Sequence, residues 1–313
     1  MKGLELSKQF YLSHGKPMLE RDFPTLLPCL AVGLAGAGSE CFGYDDEISR
    51  DHDFEPGFCI FLPDESVVDS RAAFALERAY AKLPKEFMGF TRSPLSPVGG
   101  SRHGVLRMSD FFEQKTGEPQ GELSLFDWFS IPEQSLSEAT NGEVFFDGLG
   151  TFTEIRRRLS YLPEDVRRKK LAGHIFLLGQ AGKYNYERCV ERADSAAAQL
   201  SVFEFAKSAL HSAFLLNKRY LPYYKWQFRA LRELPSLFEI EEPLSLLLTG
   251  GNSADEAKRK RAEIDAVFSH IAASLSSLGI TVRPDMTAEA LAYAVNETVS
   301  NNRLRNAHLL FGV

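Results

Sequence analysis

Between residues 38 and 53 the chain reads Gly38-Ser39, eleven intervening residues, then Asp51-His52-Asp53, and five of the nine residues from 45 to 53 are acidic. Glycine lets the backbone come close to a phosphate, consecutive N–H groups at a turn into a helix form an anion nest, and Ser39 adds a hydroxyl. If residues 51 to 53 are extended, period-two alternation turns both carboxylates to one face and His52 to the other. Two carboxylates on one face suit Mg²⁺, whose hard oxygen shell is completed by substrate phosphates. A metal bridging phosphate oxygens neutralises charge on a leaving pyrophosphate and activates an attacking hydroxyl. The competing reading is a solvated acidic loop. Asp45, Asp46 and Glu47 are expected to be such a loop, joining the nest to the strand that carries the aspartates.

The elements that must position these residues are legible as short runs. "LLPCLAVGLAGAG" predicts a buried strand that stops at glycines, "GFCIFLPD" a strand closed by Pro-Asp, and "HGVLRMS" and "GEVFFDG" two more. "DSRAAFALERAYAKL" predicts a helix with Asp69 as N-cap. After residue 150 helical periodicity takes over, and Ser253 is a predicted N-cap with Asp255 and Glu256 in the first turn. The expected fold class is α+β. A small mixed β-sheet domain spans residues 1–150 and an all-helical bundle spans 151–313.

Gly-Ser, a gap of about ten residues and Asp-x-Asp after a strand resemble the nucleotidyltransferase fold superfamily, which includes kanamycin and lincomycin nucleotidyltransferases. A second resemblance is carried by "GEVFFDGLGTFTEIRRRLSYLPEDVRRKKLA" and "LLNKRYLPYYKW", within a span from about Gly38 to Pro235. These are similar to an uncharacterised bacterial family of nucleotidyltransferase-like proteins, described only as a domain of unknown function. The resemblance implies a Mg²⁺–NTP site, with Gly38 and Ser39 on phosphates and Asp51 and Asp53 on the metal. It also implies a third carboxylate from a later strand. "HGVLRM" carries no acid, whereas "GEVFFDG" offers Glu143 and Asp147 at its two ends. Asp147 is the candidate to position or deprotonate the acceptor; its plainer reading is a turn aspartate before Gly148. Lys225, among Tyr220, Tyr223, Tyr224 and Trp226, is a candidate NTP-phosphate ligand, with the aromatics mostly core.

Composition narrows the function classes. The 313 residues are 44% hydrophobic and 25% charged, ordinary for a soluble globular protein. A formal net charge of −6 gives no basic field, which argues against a nucleic-acid-coating role. "RRRLSYLPEDVRRKK" holds seven basic residues in 15; it could touch RNA or an anionic partner, and the preferred reading is two basic helix faces flanking the turn at Leu162-Pro163, with no ligand. Cys29, Cys41, Cys59 and Cys189 show no metal-binding spacing and are expected as free thiols. With no long apolar run, no membrane association is expected, and the expected location is cytoplasmic. The function expected is a Mg²⁺-dependent nucleotidyltransferase moving an NMP group from an NTP to a hydroxyl of a small molecule or protein. The alternative is a catalytically degraded nucleotide-binding or partner-binding module.

Overall fold

The run from Leu30 to Leu34 forms strand β1 (Ala31–Leu34), every residue of which is buried. In the computed structural model, which describes residues 1–51, 54–92, 103–283 and 285–313, the chain divides into two units. The first takes residues 1–123 and 135–160, the second 124–134 and 161–313.

The first unit opens with helices α1 (Gly3–Phe10) and α2 (Lys16–Asp22), joined by a π-helical turn, Tyr11–Gly15. After β1 come α3 (Ser39–Phe42), β2 (Cys59–Leu62) and α4 (Ser70–Ala81). A two-stranded hairpin, β3 (Glu86–Phe87) and β4 (Phe90–Thr91), precedes β5 (Gly104–Arg107) and α5 (Met108–Thr116). Further on, α6 (Asp127–Ser130) lies in the second unit, and α7 (Glu133–Thr140) carries the chain back from it. Strand β6 (Glu143–Asp147) and helix α8 (Thr151–Arg158) complete the first unit.

Four strands form a mixed sheet in the order β5-β2-β1-β6, with β1 antiparallel to both neighbours and β2 parallel to β5. The fold is α+β. One sheet face, through Val32, Ile60 and Leu62, packs on Phe10, Tyr11, Leu19, Leu76 and Tyr80 from the N-terminal helices and α4. On the other face Phe61 stacks on Phe152 of α8 with ring centroids 4.0 Å apart, and Phe111 of α5 meets it edge-on. The predicted cap of α4 is present, Asp69 accepting from the Ala72 N–H at 2.7 Å.

The second unit is helical: α9 (Glu164–Leu178), α10 (Tyr186–Glu191), α11 (Ser195–Leu216), α12 (Gln227–Arg232), α13 (Glu241–Thr249), α14 (Ala254–Ser274), α15 (Ala288–Glu297) and α16 (Asn302–Asn306). Ser253 and Glu256 form a reciprocal capping box at the start of α14. Two long helical stretches of the sequence are each divided by a polar cap. Asp194 starts α11 anew by accepting from Ala197, and Asn301 starts α16 by accepting from Arg303 and Leu304.

The basic run does fall on two helices, α8 and α9, but part of it is turned inward. Arg167, Lys169 and Lys170 are all buried. Arg167 donates to Glu164 and to the Leu215 carbonyl, and Lys169 to Asn296 and the Ala307 carbonyl, so each buried charge has partners. The cysteines are free thiols. Among the described residues, no helix is long and apolar enough to cross a membrane.

Candidate functional site

Strand β1 runs out at Leu34, and the chain turns through Ala35-Gly36-Ala37-Gly38 before α3 begins at Ser39. Gly36 and Gly38 have φ of +116° and +135°, a region that favours glycine. At Gly38 a side chain would also be obstructed, since a Cβ would fall 2.3 Å from Glu40 Oε1. Asn141 fixes the turn with a pair of hydrogen bonds to one residue. It accepts from the Gly36 N–H at 2.9 Å and donates to the Gly36 carbonyl at 2.8 Å. Next to it, the Gly142 N–H donates to the Cys41 carbonyl at 2.8 Å, and Gly142 has no room for a Cβ beside the Leu34 carbonyl. Ala37 is exposed and Gly38 and Ser39 are half-buried. A cleft of about 580 Å³ opens beside Gly36 and Ala37, with Arg107, Asp110 and Lys115 among its polar lining.

The antiparallel register pairs Gly33 with Cys59. The segment that leads into β2 therefore arrives at the same end of the sheet at which Gly38-Ser39 leaves β1. Asp51 closes a 3-10 turn, Ile48–Asp51, and β2 starts at Cys59, so Asp51 is not part of an extended run and the alternation argument does not hold for it. Asp53 and His52, and the side chain of Asp51, lie outside the described residues. Among the described residues no group of three His, Cys, Asp or Glu side chains is arranged to hold a metal ion. The fit of Mg²⁺ therefore rests on donor chemistry: two carboxylates and phosphate oxygens are the hard ligands that it takes.

The acidic loop is not uniformly solvated. Asp45 is buried, accepts from the Gly3 N–H at 2.9 Å and pairs with Lys2 at 3.6 Å, which ties the loop to the start of α1. Asp46 accepts from the Ser49 N–H at 2.9 Å, starting the 3-10 turn. Sequence reading missed Asp45 because its partner helix, α1, had no recognised start signal.

Asp147 stands apart from the rest of the predicted set. It pairs with Ala31, whereas Glu143 pairs with Leu34, so Asp147 sits at the opposite end of β1 from the glycine turn, about 10 Å of strand away. Its Oδ2 accepts from the Thr153 N–H at 2.8 Å and so caps α8. A bulge opposite Val32/Gly33 lets Glu143 and Asp147 leave opposite faces of the sheet. Glu143, at the glycine-turn end, pairs with Lys8 at 2.6 Å, and the carboxylate raises the Lys8 ammonium above its ordinary value.

Lys225 lies in the second unit, exposed in a 3-10 turn with its ammonium 5.0 Å from the Trp226 ring centroid. Of the aromatics around it, Tyr220 is buried, but Tyr223 and Tyr224 are exposed, which corrects the expectation of a core cluster. Sequence reading also missed a polar group in this unit, comprising the buried Glu133, Lys170 and His174 and the partly exposed His211. Arg167, Lys170 and His174 are spaced three and four residues apart, the helix-face signal that could have singled them out.

Residues 128–227 match the model of a family described as a domain of unknown function (DUF4037). The matched segment begins in α6, crosses the strand β6 and helix α8, and ends at the start of α12. No curated protein and no solved structure matches the chain.

Proposed function

We propose that the first unit is a Mg²⁺-dependent nucleotidyltransferase domain that moves an NMP group from an NTP to a hydroxyl of a small molecule or protein. What supports this is the glycine turn that leaves β1 at the sheet end where the chain enters β2, together with the sequence position of Asp51 and Asp53 shortly before β2. The N–H groups of Ala37, Gly38 and Ser39 bind phosphate oxygens at the start of α3, and Asn141 keeps the turn open to them. Asp51 and Asp53 would hold the magnesium, which when bound supplies charge neutralisation on the phosphates.

A second reading, nucleotide binding without transfer, is favoured by one observation. The acid expected to serve the acceptor, Asp147, caps α8 at the far end of β1, and the acid at the near end, Glu143, is ion-paired. The acceptor base is therefore not supplied by Asp147 in either reading.

Calorimetric titration of ATP, GTP, CTP and UTP with Mg²⁺ tests both. The parent should bind one of them, and Asp51→Ala/Asp53→Ala should weaken binding by about two orders of magnitude, the loss of two charge-assisted ligands. Absence of binding by any nucleotide overturns the assignment. Binding without pyrophosphate release across a set of hydroxyl acceptors supports the second reading.

A further inference from the structure

In the second unit a pocket of about 390 Å³ is lined by Phe129, Pro132 and Pro222 and by Glu133, Lys170, His174 and His211. Three of these residues are deeply buried, with Glu133 and Lys170 6% exposed and His174 7%. Buried polar groups are nearly always hydrogen-bonded, and leaving them unpaired costs free energy. Here Glu133 Oε1, His174 Nδ1 and His211 Nδ1 have no hydrogen-bond partner among the described residues. The spacing explains it. Glu133 Oε1 is 3.6 Å from His211 Nδ1 and 3.8 Å from Lys170 Nζ, distances that make ion pairs but not hydrogen bonds. The second carboxylate oxygen is engaged, taking the Leu221 N–H at 3.2 Å. The two imidazoles lie parallel, 4.3 Å apart and 6° from coplanar.

The charges are balanced. Burial alone would push the Glu133 carboxyl up; His211, Lys170 and the Leu221 N–H outweigh it and hold it below its ordinary value. Burial holds His174 well below the ordinary imidazole value, so it is neutral at pH 7. A free anion would therefore meet the Glu133 carboxylate, and a free cation the Lys170 ammonium, each within a few ångströms. The group is not arranged to hold a metal ion. An apolar guest would leave all three atoms unpaired. Several hydroxyls on one molecule match them: each donates its single proton to Glu133 Oε1 or to an imidazole nitrogen that carries none, or accepts from one that does, and an oxygen of the same set can accept from Lys170.

We propose that this cavity is a binding site for a small uncharged polyhydroxy molecule of the sugar or cyclitol class, held by Glu133, Lys170 and the His174–His211 pair. Its volume falls in the range of small-molecule pockets, about 300–1,000 Å³. The site belongs wholly to the second unit and does not depend on nucleotide binding by the first.

The test is side-chain ¹H–¹⁵N NMR of the histidines on the full chain at pH 7, titrated separately with D-glucose, D-ribose and myo-inositol. Glycine and inorganic phosphate serve as the zwitterionic and anionic controls. At least one polyhydroxy probe should shift the His174 and His211 signals saturably. Lys170→Met and His211→Phe, which keep the stem and the ring stack, should each weaken that probe by about tenfold. Glu133→Gln is a poorer choice, since Glu133 also holds the Leu221 N–H. The proposal is overturned if no polyhydroxy probe shifts the signals, if glycine or phosphate shifts them instead, or if binding survives in both variants.

Discussion

Between Glu143 and Asp147 the strand β6 carries one residue more than β1 opposes, and that extra residue sends the two acids to different faces and different partners. Glu143 reaches Lys8; Asp147 reaches the first turn of α8, where the unpaired N–H groups of a helix start and its dipole both favour a carboxylate. Asp147→Ala should therefore behave as a lost cap. Expected is a destabilisation of about 1 kcal/mol, at the low side of the capping range because Asp147 Oδ1 is buried without a hydrogen bond and its removal relieves that cost. Thermal unfolding of the variant should show this modest loss, while its affinity for Mg²⁺–NTP stays at the parent value. An unshifted melting temperature with lost nucleotide binding would instead return Asp147 to the site. From sequence, an acid at the end of a glycine-bounded strand looks the same in both roles. The bulge that separates them is a property of pairing with β1, which no local pattern records.

The helix α9 shows the same limit at the scale of an element. Its start is anchored by Glu164, which accepts from Arg167 Nε at 2.9 Å and from Arg168 Nε at 2.8 Å. Hydrogen bonding from Arg167 and then Arg168, partly opposed by burial, holds the Glu164 carboxyl down from 4.5 to about 2. A carboxyl depressed in the folded state adds stability that is fully present above its unfolded value and is lost as pH falls through the folded one. Glu164→Gln should thus lower stability by about 1 kcal/mol at pH 7: Arg167 is buried and loses its charged partner, while solvent around the 43% exposed Glu164 screens the pair. The gap between parent and variant melting temperatures should narrow between pH 4.5 and about 2. A gap that is constant across that window would mean that the pair contributes no charge-dependent stability. The four sheet strands and the caps at Asp69 and Ser253 were readable because alternation, glycine punctuation and capping residues are local signals. The burial of Arg167, Lys169 and Lys170 was not, since a basic run reads as solvated unless the acceptors that pair it are known. Those acceptors, the Leu215 carbonyl, Asn296 and Glu133, are far off in the chain. Of the glycine–aspartate site, the turn was legible for the same local reason, and the clamp by Asn141, 105 residues from Gly36, was not.

At the scale of the whole molecule, the chain passes between its two units three times, after residues 123, 134 and 160. A cut at 160/161 therefore does not release the second unit intact: it strands residues 124–134 on the other fragment. That segment brings Trp128 and Ile131 into the apolar interior and Glu133 onto the Leu221 N–H. Without it, fragment 161–313 keeps Lys170 and the two histidines but has no carboxylate beside them and a backbone N–H left without its acceptor. Losing two buried apolar side chains costs about 2–5 kcal/mol each, and an unpaired buried polar group about 1–3 kcal/mol more. That total is comparable with the whole stability of a domain, about 5–15 kcal/mol. Fragment 161–313 alone should be helical by circular dichroism yet lack a cooperative thermal transition, and joining residues 124–134 to its start through a flexible linker should restore one. A cooperative transition in the shorter fragment would show that the excursion is dispensable. The matched family segment, residues 128–227, begins inside this excursion and runs through both later crossings. The matched segment thus contains the carboxylate, the Lys170 and His211 it pairs with, and the His174 stacked on His211, which is why the excursion and the bundle are expected to fail or fold together.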